Sequence, residues 1–429
     1  MEKIIHNFFY IFIAFIIALD GVLQGYKIFG IDLFRLLQFV SFLFLAKHFF
    51  KTINNNLFLK ELFKFIIILV FFLSLKMFTI IFILDSGVEF STFHDLLRLL
   101  LYLIFLYITY YIINKNPKYI KLILFFNLPV MLIAFFQYQL FPFNDFFWDL
   151  RFHYFNFSHV NFLGAETLET NLSFRQRVVG LYATSIPIAY ILVTNMLITL
   201  YIYIKEKKIF YFFLFLFYGV ISLFTLTRSV VLSFIILLIY IILKNIYTAP
   251  ILNKLISIIL VTSISFSAGY LYTSTRGSLD RLSNVTGTSA SGRGPLAITG
   301  AVAIIEYPFG ISKEKYNKVK EEMYNILHHP NVLKFPSHNG LLNIGFTYTT
   351  FGLLYFIFFI YKIKKILYKN LSKEMRNFFT IAIFAYLANG LLHNNFIFIQ
   401  DFYILIFIAI IAYEYKITLL KKVLNNEEN

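Results

Sequence analysis

Cysteine is absent from the 429 residues. That excludes a disulfide framework, a thiolate nucleophile, cysteine-ligated zinc and iron–sulfur clusters, and it leaves the redox compartment unreadable. Charge is scarce as well: Asp, Glu, Lys and Arg make up 14% of the chain, where a soluble protein has roughly 25%. With 59% of residues hydrophobic, a soluble fold of this length could not hide its apolar surface. Disorder is excluded from the same side, because it requires low hydrophobicity. Long repeats are missing, which excludes a solenoid, and no half-to-half symmetry of the transporter kind is visible. Carboxylates are missing from the middle of the apolar runs, where a proton- or ion-coupled pump would keep them. The ionisable residues inside these runs are mainly Lys76 and Asp401, both near outer ends.

What is present is aromatic and apolar. Phe occurs 56 times and Tyr 30 times, and mean hydropathy is +0.75, the composition of many membrane-spanning helices of ~20 apolar residues in series. The runs predict twelve spans at about 4–19, 31–50, 62–84, 96–114, 119–141, 178–204, 209–226, 229–243, 251–273, 341–361, 377–392 and 397–415. The expected fold is an all-α polytopic membrane protein forming a single membrane domain over 1–429. The first run, Ile4 to Leu19, meets Asp20-Gly21-Val22 without a small-residue cleavage pattern, so it is expected to stay as a helix rather than leave as a signal peptide.

Lysine and arginine divide by side. If the N-terminus is cytoplasmic, 21 of the 28 lysines fall in inward segments, and the C-terminus is cytoplasmic too. Nine of the ten arginines (Arg35, Arg98, Arg151, Arg175, Arg177, Arg228, Arg276, Arg281 and Arg293) fall on the outward side. Either residue can orient a helix, but arginine is the better fork for carboxylate or phosphate. The outer face is therefore expected to bind an anion such as a diphosphate. The competing explanation, arginines snorkelling at helix ends, suits Arg35 and Arg98.

Two outward loops are long enough to build a site: 142–177, and a larger one at 274–337 between helices 9 and 10. The second contains an apolar stretch, Pro295 to Tyr307, whose thirteen residues are too few to span and so predict a short helix at the outer surface.

Three residues stand out. Arg228 is the only charge in the 35 residues from Ile209 to Leu243, a run of ~52 Å at ~1.5 Å per residue, which leaves almost no loop between two helices. It is expected at a tight outer hairpin, where a charge at membrane depth defaults to function; an interface anchor is the simpler alternative. Arg293, in Ser291-Gly-Arg-Gly-Pro, heads the short loop helix, whose N-terminus would add N–H donors for a phosphate. His338, in Phe335-Pro-Ser-His-Asn-Gly, enters a helix at the outer mouth and could act as a general base, although a lone histidine there is more often a cap. His328 and His329 lack the partners of a metal site, and Gly292 and Gly294 do not follow a strand as a dinucleotide fingerprint would.

The order of these pieces resembles the bacterial O-antigen ligase and O-antigen polymerase superfamily. The resemblance rests on Arg177-Val-Val-Gly180 leading into a helix, on the hairpin Leu226-Thr-Arg-Ser-Val-Val-Leu, and on the loop Ser291-Gly-Arg-Gly-Pro with its later Glu306-Tyr-Pro-Phe-Gly-Ile. It ends with Ser337-His-Asn-Gly-Leu-Leu-Asn-Ile-Gly followed by Thr350-Phe-Gly-Leu-Leu. It covers about 174–361. The chain departs from the family in Ser229-Val-Val after the hairpin arginine and in Leu-Tyr-Ala-Thr-Ser-Ile-Pro after Gly180, which leaves contacts near Tyr182 open.

The resemblance implies a GT-C-like membrane glycosyltransferase in the bacterial inner membrane, multi-pass, with its active site facing outward. It would take a glycan from undecaprenyl diphosphate and transfer it en bloc, either to lipid A core as a ligase or to a lipid-linked glycan as a polymerase. It further implies inversion without metal or other cofactor, and no nucleic-acid partner. Arg228 and Arg293 would bind the diphosphate, His338 would be catalytic, and Arg177 and Asn339 would contact substrate. The alternative from another class is a lipid-linked oligosaccharide flippase or transporter, which would place its cations in a central cavity.

Overall fold

The computed structural model describes all residues except 1, 23–26, 29–30, 85–89, 158–176, 183–184, 249–292, 336, 338, 392–395 and 428–429. The predicted ninth span, together with Arg175, Arg276, Arg281 and His338, lies outside the described residues. Helices dominate the described chain, whose only strands are a two-residue antiparallel pair, β1 (Lys27–Ile28) with β2 (Ile31–Asp32). The helices of the first half are α1 (Glu2–Ala18), α2 (Leu33–Leu45), α3 (Phe49–Asn54), α4 (Leu57–Phe78), α5 (Phe90–Lys115), α6 (Lys118–Phe136) and α7 (Asn144–Phe157). Then follow α8 (Ser185–Glu206), α9 (Ile209–Phe224), α10 (Arg228–Thr248), α11 (Arg293–Glu306), α12 (Lys313–Leu327), α13 (Asn331–Lys334), α14 (Gly340–Asn370), α15 (Lys373–Gly390) and α16 (Ile404–Glu427).

Among the described residues six helices are long and apolar enough to cross a membrane: Arg35–Asn54, Leu57–Ile83, Thr92–Lys115, Lys118–Phe136, Ile186–Glu206 and Gly340–Asn370. Two shorter ones, His6–Ala18 and Ile209–Phe224, are also apolar. The short helix expected at 295–307 is α11. Two predicted spans begin too early. The stretch before α8 forms a turn at Arg177 to Gly180, and residues 397–403 form a buried irregular segment before α16.

Packing depends on close approach as well as on aromatic bulk. Lipid gives helices no hydrophobic reason to associate, so small residues and van der Waals fit carry more of the load. At Gly219 an added Cβ would lie 2.1 Å from the Phe234 ring, which fixes how tightly α9 and α10 close. Stacked rings fill the wider gaps, with Phe65 on Phe359 at 4.0 Å and Tyr102 on Phe402 at 3.9 Å.

The ion pairs at the two ends of the bundle differ, apart from the exposed Lys318–Glu314 pair within α12. At one end lysines pair with glutamates across helices: Lys205 with Glu414 at 2.7 Å, Lys207 with Glu374 at 3.1 Å, and Lys362 with Glu61 at 2.5 Å. At the other end arginines pair with aspartates, Arg35 with Asp20 at 3.3 Å and Arg98 with Asp95 at 2.8 Å. The arginine end also carries α7, the α9–α10 hairpin, α11–α13 and the start of α14.

The 31 residues of α14 are interrupted at Tyr348 and Thr349, where Thr349 takes φ 69° and ψ 167°. A non-glycine residue in that region costs about 1–3 kcal/mol and needs surrounding support. The support comes from the segment after α11. The Thr350 amide donates to the Pro308 carbonyl at 3.1 Å, and the Thr350 hydroxyl donates to the Ile304 carbonyl. Gly310 follows at φ +126°, with Lys76 Cγ 2.6 Å from where a Cβ would be, while Lys76 Nζ donates to the Phe346 carbonyl at 2.8 Å. The Pro308-Phe-Gly310 motif thus docks α11 onto the break in α14.

Candidate functional site

Between α9 and α10 only Thr225, Leu226 and Thr227 intervene, so Arg228 opens α10 at the hairpin, where the long apolar run puts it. Leu226 adopts φ 50°, and the threonines close the turn locally. Thr225 Oγ1 donates to the Ser222 carbonyl at 2.8 Å and accepts from the Thr227 amide at 3.3 Å. Two serines then fasten α10 to α15. Ser229 Oγ donates to Asn389 Oδ1 at 2.7 Å, and Ser233 Oγ donates to the Ala385 carbonyl at 2.6 Å.

Arg177 is carried to the same hairpin by its backbone. The Val178 amide donates to the Phe224 carbonyl at 3.3 Å. Gln137, fully buried, clamps the turn: its Oε1 accepts from the amides of Val179 at 3.1 Å and Gly180 at 2.8 Å, and its Nε2 donates to the Gly180 carbonyl at 3.2 Å. Gly180 has φ +59°, and a Cβ there would meet Ala134 Cβ at 3.2 Å, so the glycine of the Arg-x-x-Gly motif is required by both backbone and space. Nearby, Arg151 on α7 is buried and donates to the Tyr182 carbonyl at 3.4 Å. Burial pushes its pKa down to about 10, which leaves it charged at neutral pH.

Arg293 is the first described residue of α11, and among the described residues a Cβ on Gly294 would meet nothing within 4 Å. Farther along, α11 packs on the segment that enters α14, with Ser337 Cβ 2.6 Å from where a Cβ on Gly300 would be. Asn339 is the N-cap of α14, its side-chain oxygen accepting from the amides of Leu341 at 3.0 Å and Leu342 at 3.1 Å. Next to it, Gly340 abuts the Gly390 carbonyl, 2.8 Å from where its Cβ would be. The last turn of α15, Asn389-Gly390, is therefore where the Arg228 hairpin and the start of α14 meet.

The charges are also brought together. Burial, and after it the positive charge of Arg228, holds the Arg293 guanidinium below its ordinary pKa. Two cations within reach of each other's field make a site whose empty state is electrostatically unfavourable and whose anion-bound state is relieved.

The structure thus gathers Arg228, Arg293 and Asn339 around one helix end and brings the Arg177 turn onto the hairpin. Asn339 spends its side-chain oxygen on the cap. His338 lies outside the described residues, between Ser337 and Asn339. Sequence reasoning did not find Gln137, Ser229 or Asn389. A buried Asn-Gly at the end of an apolar run was the available signal for Asn389, since polar groups at membrane depth are costly without a task.

Residues 210–360 match the model of the family described as O-Antigen ligase. The matched stretch runs from α9 through Arg228, Arg293, His338 and Asn339 into α14, and it leaves out Arg177. No curated protein and no solved structure matches the chain. The chain is thus similar to the O-antigen ligase family over residues 210–360, which include Arg228, Arg293, His338 and Asn339.

Proposed function

We propose that this chain is a membrane glycosyltransferase of O-antigen or surface-polysaccharide assembly, with twelve spans, a GT-C-like arrangement, cytoplasmic termini and an outward-facing site in the inner membrane. The donor is a glycan on undecaprenyl diphosphate. An acceptor hydroxyl attacks the anomeric carbon, and the bond from that carbon to the diphosphate oxygen breaks with inversion. His338 takes the hydroxyl proton, and undecaprenyl diphosphate leaves. Arg228 and Arg293 hold the diphosphate and stabilise the charge that grows on it, the work a metal ion does elsewhere. Arg177 and Asn339 contact substrate at the rim.

The observation that carries this reading is the Arg228–Arg293 pair. Two guanidinium groups, Arg228 at the first residue of α10 and Arg293 at the first described residue of α11, share one field. Helix N-termini add N–H donors and positive dipole to the same place. The test is glycan transfer by purified protein in lipid nanodiscs from a synthetic undecaprenyl-diphosphate-linked glycan, with His338→Ala and Arg228→Ala beside the wild type. Both variants are expected to insert and to lose transfer; wild-type turnover in either would overturn the mechanism.

A further inference from the structure

The helices that meet at the candidate site part again within the bundle. α14 and α15 are joined at the lysine end through Leu371 and Ser372, and they touch at the arginine end, where Gly340 abuts Gly390. Between these two contacts, residues of both helices face an apolar cavity of about 120 Å³. On α14 its lining begins at Phe356 and ends at Leu367, a length of ~16 Å at ~1.5 Å per residue. On α15 it begins at Ala382 and ends at Leu387.

The lining is hydrocarbon. Its one polar side-chain group is the Tyr386 hydroxyl, which is engaged with Asp401 at 2.7 Å. An apolar cavity of about this size stays dry and takes up a compact hydrocarbon rather than water. The cavity also has a way in. Ile360 on α14 and Ile383 and Leu387 on α15 are only partly buried, and Ile357 and Phe384 beside them are exposed, so the cleft reaches the apolar outer surface between the two helices.

Its upper end belongs to the same junction as the candidate site. Phe396, a lining residue, is the side chain against which Gly340 and Gly390 both close, with Phe396 Cβ 2.8 Å from where a Cβ on Gly340 would be. Leu387 precedes Asn389 by two residues, ~3 Å of helix rise, and Asn389 holds the Arg228 hairpin through Ser229. The rim of the cleft and the hairpin arginine are therefore fixed to one end of α15.

We propose that the cleft between α14 and α15 holds part of the polyprenyl chain of the donor while its diphosphate lies at the arginine pair. This rests on the glycosyl-transfer reading above. The bilayer offers a lipid chain as much apolar surface as the cleft does, so fit rather than hydrophobicity selects the occupant. A straight acyl chain leaves gaps in a compact space walled by Phe356, Phe359, Phe398 and Phe407. An isoprene unit brings a methyl branch and a double bond that fill such a space and pack on ring faces. The chain enters sideways from the bilayer past Ile383, and its charged head never has to cross the apolar interior.

Binding without turnover separates the two proposals. Full-length protein in phosphatidylcholine nanodiscs is titrated with undecaprenyl diphosphate and, separately, with inorganic diphosphate. Ile383→Trp, which fills the rim, is expected to weaken undecaprenyl diphosphate about tenfold and to leave inorganic diphosphate and the melting temperature unchanged. Equal effects on the two probes, or none, overturn the proposal. Arg228→Ala is expected to weaken both probes; unchanged affinities there would sink the diphosphate reading and leave the Ile383→Trp result standing. Photolabelling needs no variant. Undecaprenyl diphosphate with a diazirine on its chain should mark peptides within 356–367 and 382–387, and excess unlabelled undecaprenyl diphosphate should suppress the mark. Equal marking of those peptides by a diazirine phosphatidylcholine, insensitive to that competitor, would mean that ordinary lipid fills the cleft, and would overturn the proposal.

Discussion

The hydroxyl of Ser229, the residue after Arg228, donates to the side-chain oxygen of Asn389 at 2.7 Å, and the residue after Asn389, Gly390, is the contact for Gly340. Through these two neighbours the end of α15 sets the spacing between the hairpin arginine and the start of α14. Ser229→Ala should leave the buried Asn389 side chain without that donor, a loss of about 1–3 kcal/mol. The melting temperature of the detergent-solubilised protein should fall, and transfer should fall about tenfold because Arg228 is no longer held in register. Ser229→Thr, which keeps the donor, should retain most of both. Equal activity in Ser229→Ala and wild type would remove α15 from the account of how the site is positioned.

Arg228 and Arg293 are expected to act as a pair. Removing one donor to developing charge typically costs 10²- to 10³-fold in rate, so Arg228→Ala and Arg293→Ala should each lower turnover by about that much. Since each charge disfavours the other when the site is empty, the double variant should lose less than the product of the two single losses. Steady-state rates of the four proteins form a double-mutant cycle that measures this directly. Strict additivity would mean that the two guanidinium groups do not share a ligand. Lysine at either position should restore charge without the two-point grip, and recover only part of the rate.

Much of this arrangement is legible in the sequence because it follows from length and solvent. The 35-residue run with one charge leaves room for a hairpin and little else, and the structure has three residues between α9 and α10. The division of lysine from arginine also shows in the pairs that tie separate elements together, lysine–glutamate at one bundle end and Arg35–Asp20 at the other. What sequence patterning could not reveal are the long-range polar clamps. Nothing local marks Gln137 as the acceptor for amides some 42 residues away, or Asn389 as the partner of a serine 160 residues earlier. Nor does local sequence show that Arg35 and Arg98, near the outer ends of their helices, are held by Asp20 and Asp95 beside one cavity.

Gln137 supplies the most direct stability prediction. Its side chain serves two amides and one carbonyl of the Val179-Gly180 turn from a fully buried position. Gln137→Leu keeps the volume but strands those groups, which should cost about 1–3 kcal/mol for each one left unsatisfied. Gly180→Ala should be damaging by another route, forcing a Cβ onto a backbone at φ +59° and against Ala134 at 3.2 Å. Thermal unfolding in detergent should show both losses. If Gln137→Leu melts with wild-type protein, the turn that carries Arg177 is held by something other than this clamp.

The same missing cysteine that closes off thiol chemistry makes the proposed orientation easy to test, because any introduced cysteine is alone in the chain. Lys318 on α12 and Lys365 near the end of α14 are both exposed, and they lie at opposite ends of the bundle. Exposed lysines away from ion networks contribute little to stability, so Lys365→Cys should fold normally; Lys318→Cys gives up only an exposed pair with Glu314 at 3.1 Å. With the arginine end outward, a membrane-impermeant maleimide should label Lys318→Cys in cells whose outer envelope alone is permeabilised. Lys365→Cys should react only after the cytoplasmic membrane is opened. The reverse pattern would turn the arginine pair toward the cytoplasm, away from an outward-facing lipid-linked donor, and the proposed reaction could not stand on that side of the membrane.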